Sequence, residues 1–207
     1  SELPEDVTLV AVSKTKPNED LQEAYDAGQR IFGENKIQEM TDKCEALPKD
    51  IQWHMIGHVQ TNKVKYMAPY VNLIHSADRL KLFKEINKEA KKNERVIDVL
   101  LQVKIAEEDS KFGMAPEEAK AFLEENKADQ YPNVNIVGLM GMASFVDDEV
   151  QIKREFAQLA KIYNTFKEQY AFSVLSMGMS GDYKLALEHG STMVRVGSAI
   201  FGARNFN

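Results

Sequence analysis

Eight short runs of β-forming residues recur along the chain, and a segment with helical spacing separates each run from the next. The runs are predicted at Val7–Ser13, Ile31–Asn35, Gln52–Gly57, Val71–Ser76, Val96–Ile105, Asn135–Met142, Val174–Gly178 and Met193–Gly197. The fifth is nearly continuously apolar rather than alternating. Continuous hydrophobicity means that both faces of a strand are covered, as in a parallel sheet flanked by helices. Helices are predicted from Pro17 to Tyr25, Lys36 to Ala46, Asn62 to Met67, Arg79 to Asn93, Pro116 to Asn126, Glu149 to Gln169 and Asp182 to His189, with a last turn at Ala199–Phe201. Pro17 suits a first helical position, Glu19 and Asp20 suit the positive end of the dipole, and Gly28 suits the stop. In the Arg79 to Asn93 helix, Phe83, Ile86 and Ala90 share a face, and the Lys/Glu remainder reads as a solvated one.

Eight strands with helical crossovers predict an α/β fold, a single-domain (β/α)8 TIM barrel over 1–207. The 207 residues lie near the roughly 200-residue lower limit of that fold, so the loops must be short. A doubly wound open sheet is the alternative. There is no linker, low-complexity segment or internal repeat.

Composition narrows the functional classes. A net charge of −6 argues against nucleic acid and anionic membrane as partners, since phosphates demand basic patches. No apolar run approaches the roughly 20 residues of a membrane span, and Ser1-Glu2-Leu3-Pro4-Glu5 shows no signal peptide. One cysteine, Cys44, excludes an internal disulfide and suits a reducing, cytoplasmic compartment. It lies in a helical segment with no nearby histidine and reads as inert. With no obvious apolar stripe on its surface, the barrel is expected to be a monomer.

Active sites of such barrels lie at the carboxyl ends of the strands. Those ends collect Lys14, Asn35, His54 to His58, His75-Ser76, Lys104, Met142 to Ser144, Met177 to Ser180 and Gly197-Ser198. Lys14 ends the first strand within a turn. Desolvation favours a neutral amine, and a neutral amine attacks carbonyls to form a Schiff base. Lys16 ranks second, beside the helix-opening Pro17. After the seventh and eighth strands come Ser176-Met177-Gly178-Met179-Ser180-Gly181-Asp182 and Arg195-Val196-Gly197-Ser198-Ala199. Such glycines let backbone approach an anion, hydroxyls and amides donate to it, and barrels commonly hold phosphate in this place. A Schiff-base lysine on the first strand, next in a closed barrel to a phosphate cradle after the last two, describes a site for pyridoxal 5′-phosphate. Ser180 and Ser198 with their neighbouring amides would take the phosphate. Arg195 would face either the pyridine edge or the phosphate; beside the ring nitrogen it would keep that nitrogen unprotonated and weaken the electron sink. Met177 or Met179, flanking Gly178, would pack on the cofactor or in the core, and His54 remains a candidate contact. His54 and His58 are four apart but run from strand into loop, so they make no H-E-x-x-H zinc motif. Trp53 and Met55 read as packing, Asp147 and Asp148 as loop and helix cap.

The chain resembles the pyridoxal phosphate homeostasis protein family, whose fold is similar to the N-terminal barrel of alanine racemase. The matching stretches are AVSKTKP at 11–17, AGQRIFGEN at 27–35, WHMIGHVQTNK at 53–63, KFGM at 111–114, GLMGMAS at 138–144, SMGMSGD at 176–182 and RVGSAIFG at 195–202. The resemblance implies that Lys14 is the aldimine lysine, that Asn35 approaches the ring side, and that Ser180, Arg195, Gly197 and Ser198 hold the phosphate end. Three departures stand out. Only six residues precede Val7 where the family has a helical lead-in, which suggests a trimmed start or offset numbering. Lys36 stands where an aromatic is common, and Gly181 occupies a variable place.

The resemblance implies a non-catalytic carrier that keeps intracellular cofactor in balance and supplies it, in one reading, to dependent apoenzymes. A racemase of this barrel type needs a second acid/base on the far face of the cofactor. In alanine racemases a second domain provides it; this sequence ends at Asn207 with no such domain expected, and an open face admits water that undermines carbanion chemistry. The alternatives are an amino-acid racemase or lyase of the same fold type, and a class I aldolase using Lys14 directly on a sugar phosphate.

Overall fold

The structure is a computed structural model and describes residues 3–109 and 112–202. Lys111 of the KFGM stretch lies outside the described residues. Eight parallel strands close into a barrel in sequence order. They are β1 (Thr8–Val12), β2 (Ile31–Glu34), β3 (Gln52–Met55), β4 (Leu73–Ala77), β5 (Ile97–Gln102), β6 (Val134–Met140), β7 (Val174–Met179) and β8 (Met193–Val196). Pairing of Val10 with Arg195 and Ala11 with Val196 closes the ring between β1 and β8. That closure excludes the open-sheet alternative and establishes the (β/α)8 barrel.

The helices are α1 (Asn18–Asp26), α2 (Ile37–Ala46), α3 (Val64–Met67), α4 (Leu80–Lys92), α5 (Pro116–Glu124), α6 (Glu149–Tyr170), α7 (Tyr183–Glu188) and α8 (Ser198–Phe201), with short 3-10 turns at Thr61–Lys63 and Lys127–Gln130. Boundaries differ from the predicted ones by a few residues. Pro17 keeps an extended ψ of 159° and stands just outside α1. Asp148 caps α6, accepting the amides of Val150 and Gln151 at 3.0 and 3.2 Å. Gly28, at φ 109°, turns the chain back after α1. No helix among the described residues is long and apolar enough to cross a membrane.

Strand parity sorts the side chains into two layers. Val10, Leu73, Leu100, Met140 and Met193 pack together inside the barrel. A larger cluster fills the space between strands and helices; it includes Ala11, Phe32, Trp53, Met55, Leu175 and Met177. Trp53 and Met55 thus seal sheet against helix, as the packing reading expects. Alternation along β1 then directs Val10 and Val12 inward, and inward positions near the strand ends build the cavity.

Candidate active-site cavity

A cavity of about 850 Å³ opens at the carboxyl ends of the strands. Its wall includes Lys14, Lys16, Asn35, Ser180, Arg195, Gly197 and Ser198. These residues come from opposite ends of the chain, and the β1–β8 pairing brings them together. Met177, Gly178 and His54 lie off the cavity wall. Met177 is fully buried in the outer layer, because β7 parity turns it toward the helices. Gly178, at φ 104°, lets α7 pack close: a Cβ there would stand 2.8 Å from the Ala186 Cβ and 3.0 Å from the Tyr183 Cα. His54 lies deeper inside the barrel.

Lys14 stands two residues past the end of β1, one residue further than predicted. The strand stops at Val12, and Ser13 to Lys16 fold into a turn closed by the Lys16 amide on the Ser13 carbonyl at 3.1 Å. Thr15 takes the left-handed conformation there, φ 64°. Lys14 is half-buried on the cavity wall.

Beside it, the loops after β7 and β8 interlock. The Asp182 carboxylate accepts the Met179 amide at 2.8 Å, fixing the turn that carries Ser180. The Gly197 amide donates to Ser180 Oγ at 3.3 Å. A Cβ on Gly197 would lie 3.0 Å from the Val12 carbonyl oxygen, so glycine is what lets β8 hand the chain over so near β1. The result is a cradle of small residues, hydroxyls and amides, the donor chemistry of an anion site.

Arg195 is 3% exposed and lies at the cavity floor. It donates to the Ser176 hydroxyl and carbonyl and, at 3.1 Å, to the Gly141 carbonyl. Ser176 Oγ continues to His75 Nδ1 at 2.9 Å, and His75 Nε2 to His54 Nδ1 at 2.9 Å. A polar ladder of four side chains therefore crosses the barrel beneath the cavity. Burial lowers the Arg195 pKa to about 10, with Asp182 opposing, so the guanidinium stays charged at neutral pH. Burial pushes His54 down to about 4. His75 falls well below its usual value through burial first, then the charges of His54 and Arg195. Both imidazoles are neutral beside the one cation.

Groups with a depressed folded pKa contribute stability above their unfolded value, about 6.5, and lose it as pH falls through the folded one. Unfolding midpoints are therefore expected to drop as pH falls from 6.5 toward the His54 value of about 4. In a nuclear magnetic resonance titration, two of the four histidines are expected to stay silent between pH 7 and about 5. Four titrating imidazoles would show that the ladder is solvated.

Gln102, Phe145 and Val146 of the wall escaped sequence reasoning. Gln102, 4% exposed, lines the cavity in place of Lys104, because β5 ends at Gln102. His58 stacks on Phe112 with ring centres 3.9 Å apart, far from partnering His54. His54 and His75 stood among the strand-end candidates, but their pairing with each other and with Ser176 was not anticipated. Met142, Phe145, Val146 and Met179 ring the mouth, with Phe145 91% exposed.

The family model described as alanine racemase, N-terminal domain, matches residues 2–205. The pyridoxal phosphate homeostasis protein of Aquifex aeolicus is 41% identical over 201 residues, covering 96% of this chain and 87% of its own. That of Vibrio alginolyticus is 42% identical over 210 residues, covering 99% and 89%. The chain belongs to the pyridoxal phosphate homeostasis protein family. A solved structure of that similarity is PipY of Synechococcus elongatus: without PLP it superposes at a TM-score of 0.90 with 36% identity, covering 97% of this chain and 95% of that one. PipY with PLP bound superposes at 0.86 with 35% identity and the same coverage. Alanine racemase of Clostridium difficile, at 12% identity and a TM-score of 0.80 over 99% of this chain and 55% of that one, shares the homeostasis family's barrel.

Proposed function

We propose that this chain binds pyridoxal 5′-phosphate as a Schiff base on Lys14 and acts as a carrier that keeps the free cofactor in balance, without turning over a substrate. The observation that carries the reading is one cavity walled by an amine on the β1 side and a hydroxyl-and-amide cradle on the β7–β8 side, with a buried cation at the floor. Relatives named for pyridoxal phosphate homeostasis and PipY with PLP bound support it.

The residues fit the cofactor by their chemistry. A lysine amine condenses with an aldehyde, joining nitrogen to carbon and releasing the oxygen as water. Ser180, Gly197 and Ser198 suit the phosphate. Arg195 lies two residues back along β8 from Gly197 and commits its guanidinium to Ser176 and Gly141, which favours the ring edge over the phosphate. An arginine there, backed by neutral imidazoles, supplies no proton to the ring nitrogen and so restrains the carbanion chemistry that the cofactor otherwise supports. Asn35 on the wall suits the ring side.

Three other proton-carrying groups on the wall have structural work. Asp182 holds the Met179 amide, His58 stacks on Phe112, and Lys16 donates to the Phe201 carbonyl at 3.4 Å. The exposed apolar mouth admits water, which suits exchange with acceptor apoenzymes better than protection of a reactive intermediate.

Titration of the purified chain with pyridoxal phosphate and with pyridoxal tests the reading by visible absorbance. The phosphate ester is expected to bind more tightly. Ser180→Ala should weaken it about tenfold, the scale of one hydrogen bond to a charged group, and leave pyridoxal unchanged. Equal binding of the two ligands, or none, would overturn the assignment.

A further inference from the structure

The turn that carries Lys14 is held from behind by α2. Lys43 of that helix is 5% exposed, and its ammonium donates three hydrogen bonds: to the Ser13 carbonyl at 2.8 Å, to Glu34 Oε1 at 2.6 Å and to Glu39 Oε1 at 2.9 Å. An ammonium has three protons, so each is used. Glu39 Oε1 also accepts the Thr15 amide at 2.6 Å. Ser13 Oγ donates to Glu34 Oε1 at 2.7 Å. The residue before Lys14 and the residue after it are therefore tied to one Glu34–Lys43–Glu39 chain, while Lys14 itself lies on the cavity wall.

This arrangement is poorly explained by stability alone. Thr15 sits at φ 64°, a conformation that β-branched residues seldom adopt. Glu34 is fully buried and its Oε2 has no hydrogen-bond partner. A buried pair with an unmatched oxygen is often no better for folding than apolar side chains of the same volume. What the chain does supply is a fixed backbone on both sides of one lysine.

We propose that Glu34, Lys43 and Glu39 are positioning residues for Lys14, holding its backbone so that the amine meets an aldehyde from one direction. The proposal rests on the reading of Lys14 as the cofactor lysine. Glu39 is the member to test, because its side chain is 26% exposed and its removal spares the buried pair. The full chain carrying Glu39→Ala or Glu39→Gln is mixed with pyridoxal phosphate, quenched with borohydride at timed intervals and weighed by mass spectrometry. Binding of pyridoxine 5′-phosphate is measured alongside; its hydroxymethyl group keeps the ring and phosphate contacts but forms no bond to lysine. Glu39→Ala is expected to slow adduct formation about ten- to a hundredfold, the scale of a misplaced reacting group, and to bind the alcohol as the wild type does. Glu39→Gln, which keeps an acceptor for Thr15, should restore most of the rate. A wild-type rate in Glu39→Ala, or an equal loss for both ligands, overturns the clamp alone. A wild-type chain that takes up neither ligand overturns the pyridoxal phosphate reading and the clamp with it.

Discussion

Lys14→Ala is expected to leave no covalent adduct after pyridoxal phosphate and borohydride, while Lys16→Ala keeps it in full. Both lysines line the cavity, so location does not separate them. Their backbones do. Val10 and Val12 face inward along β1, and Lys14 follows them onto the cavity wall before the chain turns at Thr15, whereas Lys16 follows that turn and directs its ammonium to the Phe201 carbonyl of α8. Lys14 is also the residue whose two neighbours are bound by α2. Visible absorbance should vanish in Lys14→Ala, and the far-ultraviolet circular dichroism should not change, since a half-buried turn lysine packs little core. Peptide mapping of the reduced protein decides the matter: label at Lys16 in the wild type would reverse the assignment.

The largest loss of stability is expected from Lys43→Met, about 3–5 kcal/mol at neutral pH, because it leaves the buried Glu34 carboxylate uncompensated. The Glu34 pKa is already raised by burial, with Lys43 and Ser13 opposing that rise. Removing Lys43 raises it further. A group with a raised folded pKa binds its proton more readily in the native state, so acid favours the fold. The penalty should therefore shrink as pH is lowered from neutral to about 5. Glu34→Leu combined with Lys43→Met should recover most of the loss, since no buried charge then lacks a partner. Urea denaturation of the three proteins at two pH values measures this. A loss below about 1 kcal/mol, the range of exposed pairs, would show that water reaches the pair.

Much of the barrel is legible in the sequence because period and composition report burial. Eight runs of β-formers, alternating with segments of helical spacing, correspond to the eight strands in the right order. Their ends were less legible. The fifth run was read to Ile105, yet β5 stops at Gln102, with Val103 bridged to Met114 and Ile105 buried past the strand end. Hydrophobicity marks what is covered, not which amides pair in the ladder, and that slip moved attention from Gln102 to Lys104. Of the cavity, the parts set by local chain chemistry were legible: the lysine after β1 and the glycine- and serine-bearing turns after β7 and β8. The Glu34–Lys43 pair was not. A lysine on a helix looks the same in a sequence whether it faces water or a carboxylate on the strand beneath. Its burial follows from Glu34, Ser13 and Glu39 meeting it in three dimensions. The His54–His75–Ser176–Arg195 ladder was hidden likewise, since its members come from four strands.

The pairing of β1 with β8 carries a consequence in time. Lys14 leaves a ribosome well before Ser198, which follows it far along the chain. Contacts so distant along the chain form late and slowly in folding. The cavity is complete only once β8 has docked, so any ligand that needs both the β1 and the β8 walls is taken up by finished barrels and not by partly made ones.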